Sequence, residues 1–270
     1  MSFFKKFPTI GYDYNRNGVL QNVISLYKSI RVPAALLDNV SIYTFYEIQN
    51  GERPDIVSTR LYGTPEYYWT FFIINDFLHD GMRVWPMSQE DLDEYMKTEY
   101  DGFAITTNPR IIRNTDQLII DYRDSLAGRF TLGERIVGAT SGACGQLYKK
   151  SIDLNQLIIR TCQGRFIGDP DSINSPTELI IGQTSGDSVS TYRVYDYIDA
   201  PHHYYVQGDP EKRPVDNGIF IQGGVPESDL DFISNREFLF NQNEERSKIR
   251  VINPAYIAQF SEAFKDLINA

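Results

Sequence analysis

Gly51-Glu-Arg-Pro-Asp-Ile-Val-Ser-Thr-Arg-Leu-Tyr-Gly-Thr-Pro-Glu-Tyr-Tyr-Trp-Thr-Phe-Phe-Ile-Ile-Asn-Asp76 is the stretch of this 270-residue chain that decides the fold. It predicts two short helices placed back to back. Pro54 suits a first helical position, where its missing N–H costs nothing. Gly63 supplies the left-handed residue that ends a helix. Thr64 and Pro65 then begin a second helix with a capping hydroxyl and a proline.

The second predicted helix is apolar around its whole circumference. Residues 67–74 read Tyr-Tyr-Trp-Thr-Phe-Phe-Ile-Ile, and a helix that is hydrophobic on all sides must be covered on all sides. We expect another protein to cover part of it, with Tyr67 and Phe71 facing outward. An internal core and a sugar-stacking surface are alternatives for the same residues. The framework of this predicted interface is Leu61, Tyr62, Tyr68, Trp69, Phe72 and Trp85.

Five short motifs carry a resemblance to a known family: Arg53-Pro54, Leu61-Tyr62-Gly63, Tyr67-Tyr68-Trp69, Asn75-Asp76 and Trp85-Pro86-Met87-Ser88. Their order resembles the baseplate wedge subunit 53 family of T-even-like contractile-tail bacteriophages. The resemblance covers roughly residues 1–100 and is weaker over residues 248–267. The same stretch is similar to a LysM module, a βααβ unit whose first helix also ends near a Tyr-Gly.

The resemblance implies a structural protein and not an enzyme. It implies a virion protein of the tail baseplate, made in the host cytoplasm, that joins neighbouring wedge proteins around the hub. The partners would then be other wedge subunits and neighbouring wedges in a six-fold assembly, with no cofactor and no small-molecule substrate. The alternative is a LysM-type peptidoglycan-binding module or a tail lysozyme accessory protein.

Composition narrows the function classes further. The chain has 26 basic and 36 acidic residues, a net charge of −10, which argues against a nucleic-acid groove because such grooves need clustered cations. No apolar run approaches the roughly 20 residues of a membrane span. The first residues lack the apolar core of a signal peptide. Cys144 and Cys162 are too few for a disulfide framework and are expected to act as small buried hydrophobes.

The middle of the chain predicts a β-rich unit. Residues 110–113, 117–121 and 156–160 are short apolar runs between turn residues, as in a small sandwich or barrel. Residues 134–142, Glu-Arg-Ile-Val-Gly-Ala-Thr-Ser-Gly, return 44 positions later as residues 178–186, Glu-Leu-Ile-Ile-Gly-Gln-Thr-Ser-Gly. Each copy is a strand entering a glycine turn. Two copies indicate a duplicated β-unit and not a solenoid, which needs at least three repeats.

The flanking residues predict further elements. Apolar residues spaced from Leu20 to Ile30 predict an amphipathic helix, and residues 42–48 predict a strand. Ser88 caps a helix that runs to about Tyr100. Residues 196–245 predict long loops with few strands. Residues 248–252 predict a strand, followed by a last amphipathic helix.

We therefore predict an α+β fold with three regions. Residues 1–102 form a helical, LysM-like βααβ domain, and residues 103–195 form an inserted all-β domain with the two-copy repeat. Residues 196–270 form a loop-rich segment whose last helix packs back on the N-terminal domain. The last helix has one apolar face, which must dock on another part of the chain.

No motif predicts catalysis, cofactor binding or a metal site. The Gly-x-Thr-Ser-Gly turns lack the lysine of a phosphate loop. His202 and His203 are neighbours on an extended segment, so their side chains should point to opposite faces and rarely share one ion. With no serine elbow and three histidines, nothing predicts a catalytic triad. An enzyme would need a polar pocket with convergent carboxylates.

Overall fold

The computed structural model describes residues 7–25, 41–107, 111–114, 117–120, 126–152, 154–169, 177–211 and 230–269. The strands are β1 (Thr9–Tyr12), β2 (Gln21–Ile24), β3 (Tyr43–Glu47), β4 (Phe103–Thr107), β5 (Ile111–Asn114), β6 (Gln117–Ile120), β7 (Arg135–Gly138), β8 (Cys144–Ser151), β9 (Gln156–Gln163), β10 (Leu179–Gly182), β11 (Ser188–Asp196), β12 (Pro201–Val206), β13 (Leu230–Ser234) and β14 (Lys248–Ile252). The helices are α1 (Pro54–Tyr62), α2 (Trp69–Ile74), α3 (Gln89–Glu99), α4 (Asn235–Ser247) and α5 (Ile257–Asn269).

The chain divides into two compact units. The first unit joins Met1–Leu92 with Asn241–Ala270, and the second is Asp93–Phe240. The second unit is therefore wider than residues 103–195. Tyr100 and Tyr197 lie just outside residues 103–195 but belong to this second unit, and their rings lie 4.9 Å apart. The mixed α and β composition confirms the predicted α+β class.

The first unit contains a two-stranded sheet with helices against it. β3 pairs with β14 in antiparallel register, with Tyr43 opposite Ile252. Pro54 begins α1, and Gly63 ends it at φ 73° while donating its N–H to the carbonyl of Thr59. Both helix signals are thereby confirmed. After Thr64 a single 3-10 turn precedes α2, so the second helix begins later than predicted.

The N-terminal segment forms a hairpin where the sequence predicted a helix. β1 and β2 pair antiparallel over four residues each. The Asp13 carboxylate accepts hydrogen bonds from the backbone N–H groups of Asn17 (3.1 Å) and Gly18 (2.7 Å), which folds the connecting loop. This local turn overrides the helix-like spacing of the apolar residues. The predicted helix beyond residue 25 lies outside the described residues.

The second unit contains a closed six-stranded barrel with the strand order β10-β11-β4-β9-β8-β7. Its interior is filled by the buried side chains of one apolar cluster. A closed barrel has no free edge. The strands predicted at residues 110–113, 117–121 and 156–160 are confirmed as β5, β6 and β9, although β5 and β6 form a separate pair.

The sequence repeat gives the barrel an internal two-fold symmetry. Arg135 lies opposite Gln146 on β7 and β8, and Leu179 lies opposite Ser190 on β10 and β11, 44 positions further on. β7 and β10 also pair with each other, antiparallel. One half of the barrel consists of β7, β8 and β9, and the other half consists of β10, β11 and β4. β4 pairs with β11 as β9 pairs with β8, although β4 precedes all the other barrel strands in the sequence. The duplicated β-unit is therefore the barrel itself.

The C-terminal region is more regular than predicted. Residues 196–245 include β12, β13 and the 13-residue helix α4. The expectation of long loops is therefore wrong for the described part, because the polar composition of α4 hid a helix that buries Asn235 and Leu239. The predicted helix cap at Ser88 is confirmed, since its hydroxyl accepts the N–H of Asp91 at 3.1 Å. The predicted C-terminal strand and last helix are confirmed as β14 and α5.

Candidate interaction surface

The aromatic helix that predicted an interface is covered by its own chain. Phe71 is 0% exposed, so the expectation that it faces outward is wrong. Its ring lies 6.2 Å from those of Tyr62 and Trp85. Trp69 is also buried, 4.9 Å from the Phe264 ring of α5. Helical phase alone cannot reveal this, because the covering residues come from distant parts of the chain.

The other predicted interface residues lie at the border of the same core. Tyr67 is half-buried and meets the Tyr62 ring edge-on at 5.7 Å. Trp85 is buried. The remaining members are half-buried and pack against the core residues of the first unit: Leu61, Tyr62, Tyr68 and Phe72. The internal-core alternative thus describes these eight residues better than an exposed interface does.

Two side chains of this core close the outer edge of β14. Asn75 is buried, donates from Nδ2 to the Arg250 carbonyl (3.0 Å) and accepts the Arg250 N–H through Oδ1 (2.9 Å). The Tyr62 hydroxyl donates to the Ile252 carbonyl at 2.9 Å. Burial raises the pKa of Tyr62 well above its usual value, so this hydroxyl stays a donor. Asn75 therefore takes the place of a third strand.

The turn before α1 is likewise fixed from within. The Glu52 carbonyl accepts the Trp85 Nε1–H at 2.7 Å. The Glu52 carboxylate accepts from the Tyr46 hydroxyl and the Gln49 N–H, each at 2.9 Å, and pairs with the Arg60 guanidinium. These contacts hold the Glu52 carboxylate within the first unit. Trp69 and Trp85 are in the core, so neither can stack on one.

Six of the exposed large apolar side chains among the described residues lie on the N-terminal hairpin. Tyr14 is 76% exposed and Leu20 is 70% exposed. Exposed apolar patches of this kind are typical of protein contacts. We call this surface the apolar hairpin, and its exposed members are Ile10, Tyr12, Tyr14, Val19, Leu20 and Ile24.

A second exposed aromatic residue lies on β3. Phe45 is 80% exposed, opposite Arg250 on β14. On the inner face of the same sheet, Ile249 and Val251 are fully buried against the helices. The first unit therefore presents Phe45 at the uncovered part of its sheet.

The histidine pair behaves differently from its sequence expectation. A bulge between Pro201 and His203 brings both rings to the same side, and their Nδ1 atoms lie 2.9 Å apart. The expectation of opposite faces is therefore wrong. His202 stacks on Phe238 at 3.7 Å. Within the described residues, no group of three or more metal-ligating side chains converges.

A cleft of about 1080 Å³ with mixed polar and apolar walls opens in the second unit. Arg236 on its wall is bound by Asp199 at 2.7 Å. The Cys162 thiol there has its pKa raised to about 11 by burial, with the nearby Asp101 adding to the effect, so it is not a thiolate at neutral pH. The cleft therefore offers no activated thiol nucleophile. Its charged lining residues are Asp93, Lys97, Asp101, Asp196 and Arg236.

The glycine turns of the repeat are filled by the protein's own carboxylates. The Glu178 carboxylate accepts the N–H groups of Thr140 (3.2 Å) and Ser141 (2.9 Å) in the first turn. The Glu134 carboxylate accepts those of Thr184 (3.1 Å) and Ser185 (3.0 Å) in the second. These N–H groups are therefore not available to a phosphate.

Two comparisons bear on identity. No protein-family model and no curated protein matches this chain. Among the described residues, no helix combines the length and the apolar character that crossing a bilayer requires.

Proposed function

We propose that this protein is a structural component of a phage contractile-tail baseplate wedge, joining neighbouring wedge proteins around the hub. The apolar hairpin carries this proposal, since six large side chains on one short element remain exposed. Such a surface promotes aggregation of a free monomer, and it becomes buried when the monomer joins an assembly. We therefore assign the contact to the hairpin, and the aromatic residues of α2 to the core of the first unit.

The order of elements in the first unit supports a LysM-like reading. β3, α1, α2 and β14 follow one another as strand, helix, helix and strand, and the two strands pair antiparallel. The second strand arrives only after the barrel-containing unit. We infer a βααβ module interrupted between α2 and β14, which agrees with the weaker resemblance near residues 248–267.

The proposed partners and location follow from the resemblance. They are other wedge subunits and neighbouring wedges in a six-fold virion assembly, after synthesis in the host cytoplasm. The role is non-enzymatic and needs no cofactor, metal, nucleic acid, membrane or small-molecule substrate. The net charge of −10 fits protein contacts better than contact with anionic polymers.

The test is incorporation into purified tails. We expect the wild-type protein at six copies, or a multiple of six, by quantitative mass spectrometry. Tyr14→Lys and Leu20→Lys place charges on the apolar hairpin and should lower that number, because a buried unpaired charge is costly. Phe77→Lys and Met82→Lys change exposed apolar residues outside the hairpin and serve as controls. Equal incorporation of all four variants would contradict the proposal.

Peptidoglycan binding is the alternative function, and sedimentation with purified peptidoglycan separates it from assembly. We expect no co-sedimentation of the wild-type chain. Trp69→Ala should reduce thermal stability, because Trp69 packs between Phe260 and Phe264. Saturable binding that survives in Tyr14→Lys would favour the alternative.

A further inference from the structure

Among the described residues, no strand pairs with the outer edge of β3. Of its outward groups, the Glu47 carbonyl accepts the side-chain amide of Gln49 at 3.1 Å. The Ile48 N–H donates to the Ser247 carbonyl, and the Asn253 N–H donates to the Ile42 carbonyl, each just beyond one end of the β3–β14 ladder. In an antiparallel pair these bonds alternate along the strand. The even-numbered residues of β3 therefore bond to β14, and Tyr43, Phe45 and Glu47 direct their N–H and C=O groups away from it.

This openness is specific to one side of the sheet. On the other side, Asn75 and Tyr62 satisfy the outward groups of Arg250 and Ile252. β3 contains no proline and no bulge, and its one charged residue is Glu47 at its end. It presents Phe45 instead, at 80% exposure. An extended strand is the occupant that such an edge accepts.

The apolar hairpin is the complementary element. A two-stranded hairpin is only marginally stable alone in water and gains from a third strand. The Ser25 N–H donates to the Pro8 carbonyl at the end of the hairpin, so alternation directs the N–H and C=O groups of Asn22 and Ile24 outward. β1 and β2 contain no charged residue. Two copies of this acidic chain therefore meet without placing like charges opposite each other.

We propose that the hairpin of one copy adds to the open β3 edge of a second copy, forming a four-stranded sheet with β14. This deepens the proposed function by naming the partner at the hairpin. Pairing β3 with β3 would use one five-residue strand on each side, far short of the roughly 800 Å² per partner of a stable contact. The hairpin contributes two strands and six exposed apolar side chains.

The contact is head-to-tail, since the hairpin and the β3 edge are different surfaces. Such contacts repeat from copy to copy and generate rings when the rotation closes. Each copy then has its own β3 edge filled by one neighbour and fills that of the next. The proposal therefore predicts rings or open chains of copies, and a reciprocal pair of copies is the smallest such ring.

Mixed disulfides test the pairing in the full-length chain. Paired strands hold opposite Cα atoms about 5.5 Å apart, a distance that a disulfide spans. We expect oxidation of a mixture of Phe45→Cys protein with Asn22→Cys or Ile24→Cys protein to give cross-linked heterodimers. Phe77→Cys replaces Phe45→Cys as the control and should give none. A Phe45→Cys homodimer in preference to the mixed product would overturn the proposal in favour of β3–β3 pairing.

Sedimentation velocity gives an independent reading. We expect the wild-type mass to rise with protein concentration, and most of this rise should persist in high salt because β1 and β2 contain no charged residue. Phe45→Pro removes an N–H that β14 does not use and should abolish the rise, with unchanged circular dichroism. Phe77→Glu should leave it intact. A chain that is monomeric at every concentration overturns the proposal. If the hairpin charges still reduce incorporation into tails, the proposed function stands without it.

Discussion

Glu134 and Glu178 are the two residues whose carboxylates fix the glycine turns of the barrel. Each belongs to one repeat and holds the turn of the other, with its carboxylate accepting three hydrogen bonds from a Thr-Ser pair there. A Cβ on Gly138 would lie 2.6 Å from a Glu178 carboxylate oxygen, and one on Gly182 equally close to Glu134. The glycine therefore makes room for the opposite glutamate.

Removing one carboxylate should be costly. Glu134→Ala leaves the N–H groups of Thr131, Thr184 and Ser185 without their buried acceptor. We expect the free energy of unfolding to fall by about 3 kcal/mol, since three partly buried donors lose one acceptor together and a fully buried unpaired donor costs roughly 1–3 kcal/mol. Urea titration measures it. Glu244→Ala, which loses an exposed pair with Lys248, should stay within about 0.5 kcal/mol. Equal losses of stability in the two variants would contradict the stabilising role of the Glu134 carboxylate.

The same residue predicts a response to acid. Burial is the largest influence on the pKa of Glu134 and raises it, but hydrogen bonds from Ser185, Thr131 and Thr184 together outweigh burial and hold the pKa below its usual value. A lowered folded-state pKa means that this stabilisation is complete above the unfolded value of about 4.3 and is lost as pH falls through the folded pKa. In urea titrations from pH 7 to pH 3, the stability gap between wild type and Glu134→Gln should shrink. A stability difference that stays constant over this pH range would contradict the lowered pKa of Glu134.

Among the elements, the β3–β14 pair organises the first unit. α2 and the aromatic residues around it cover the inner face of this pair, and α5 covers Trp69. The pair has one edge closed by Asn75 and one left open at Phe45. This difference between the two edges, and not the aromatic content of α2, separates the structural part of the unit from its proposed contact surface.

The closed edge can be tested through Asn75. Asn75→Ala leaves the N–H and C=O of Arg250 and the C=O of Phe71 without a partner. We expect a loss of about 3 kcal/mol of unfolding free energy in urea, with faster aggregation on warming because a second strand edge opens. Asn15→Ala, in the exposed hairpin loop, should change stability by less than about 0.5 kcal/mol. An unchanged Asn75→Ala variant would contradict the edge-closing role.

The whole molecule joins two units with separate cores. The barrel begins at β4 and ends at β11, so every one of its strands lies within residues 103–196. It has no strand from outside that range and encloses its own apolar cluster. This arrangement is typical of a domain that folds alone.

A fragment of residues 103–196 should therefore fold without the rest of the chain. We expect a cooperative thermal transition by circular dichroism and a strand-rich spectrum. Glu134→Ala should lower the midpoint of the fragment and the barrel transition of the full chain alike. A fragment that is unfolded at room temperature would contradict the autonomy of the barrel.

Local signals allowed much of this fold to be predicted from the residues. Pro54, Gly63 and Ser88 act within one helical turn, so their effects need no distant partner. The repeat likewise predicted a duplicated β-unit, because two copies of one sequence prefer the same local structure. The hairpin was missed, since the turn made by Asp13 outweighs the helical spacing that follows it.

The exposure of each side chain depended on residues far away in the sequence. Phe71 and Trp69 are buried because β14 and α5, nearly two hundred positions later, return to cover them. Glu134 acts on Ser185 only after the barrel closes. Local sequence patterns therefore determined where many of the helices, strands and turns begin. The assembled fold decided which surfaces stay open, because burial is a property of the packed chain and not of any one segment.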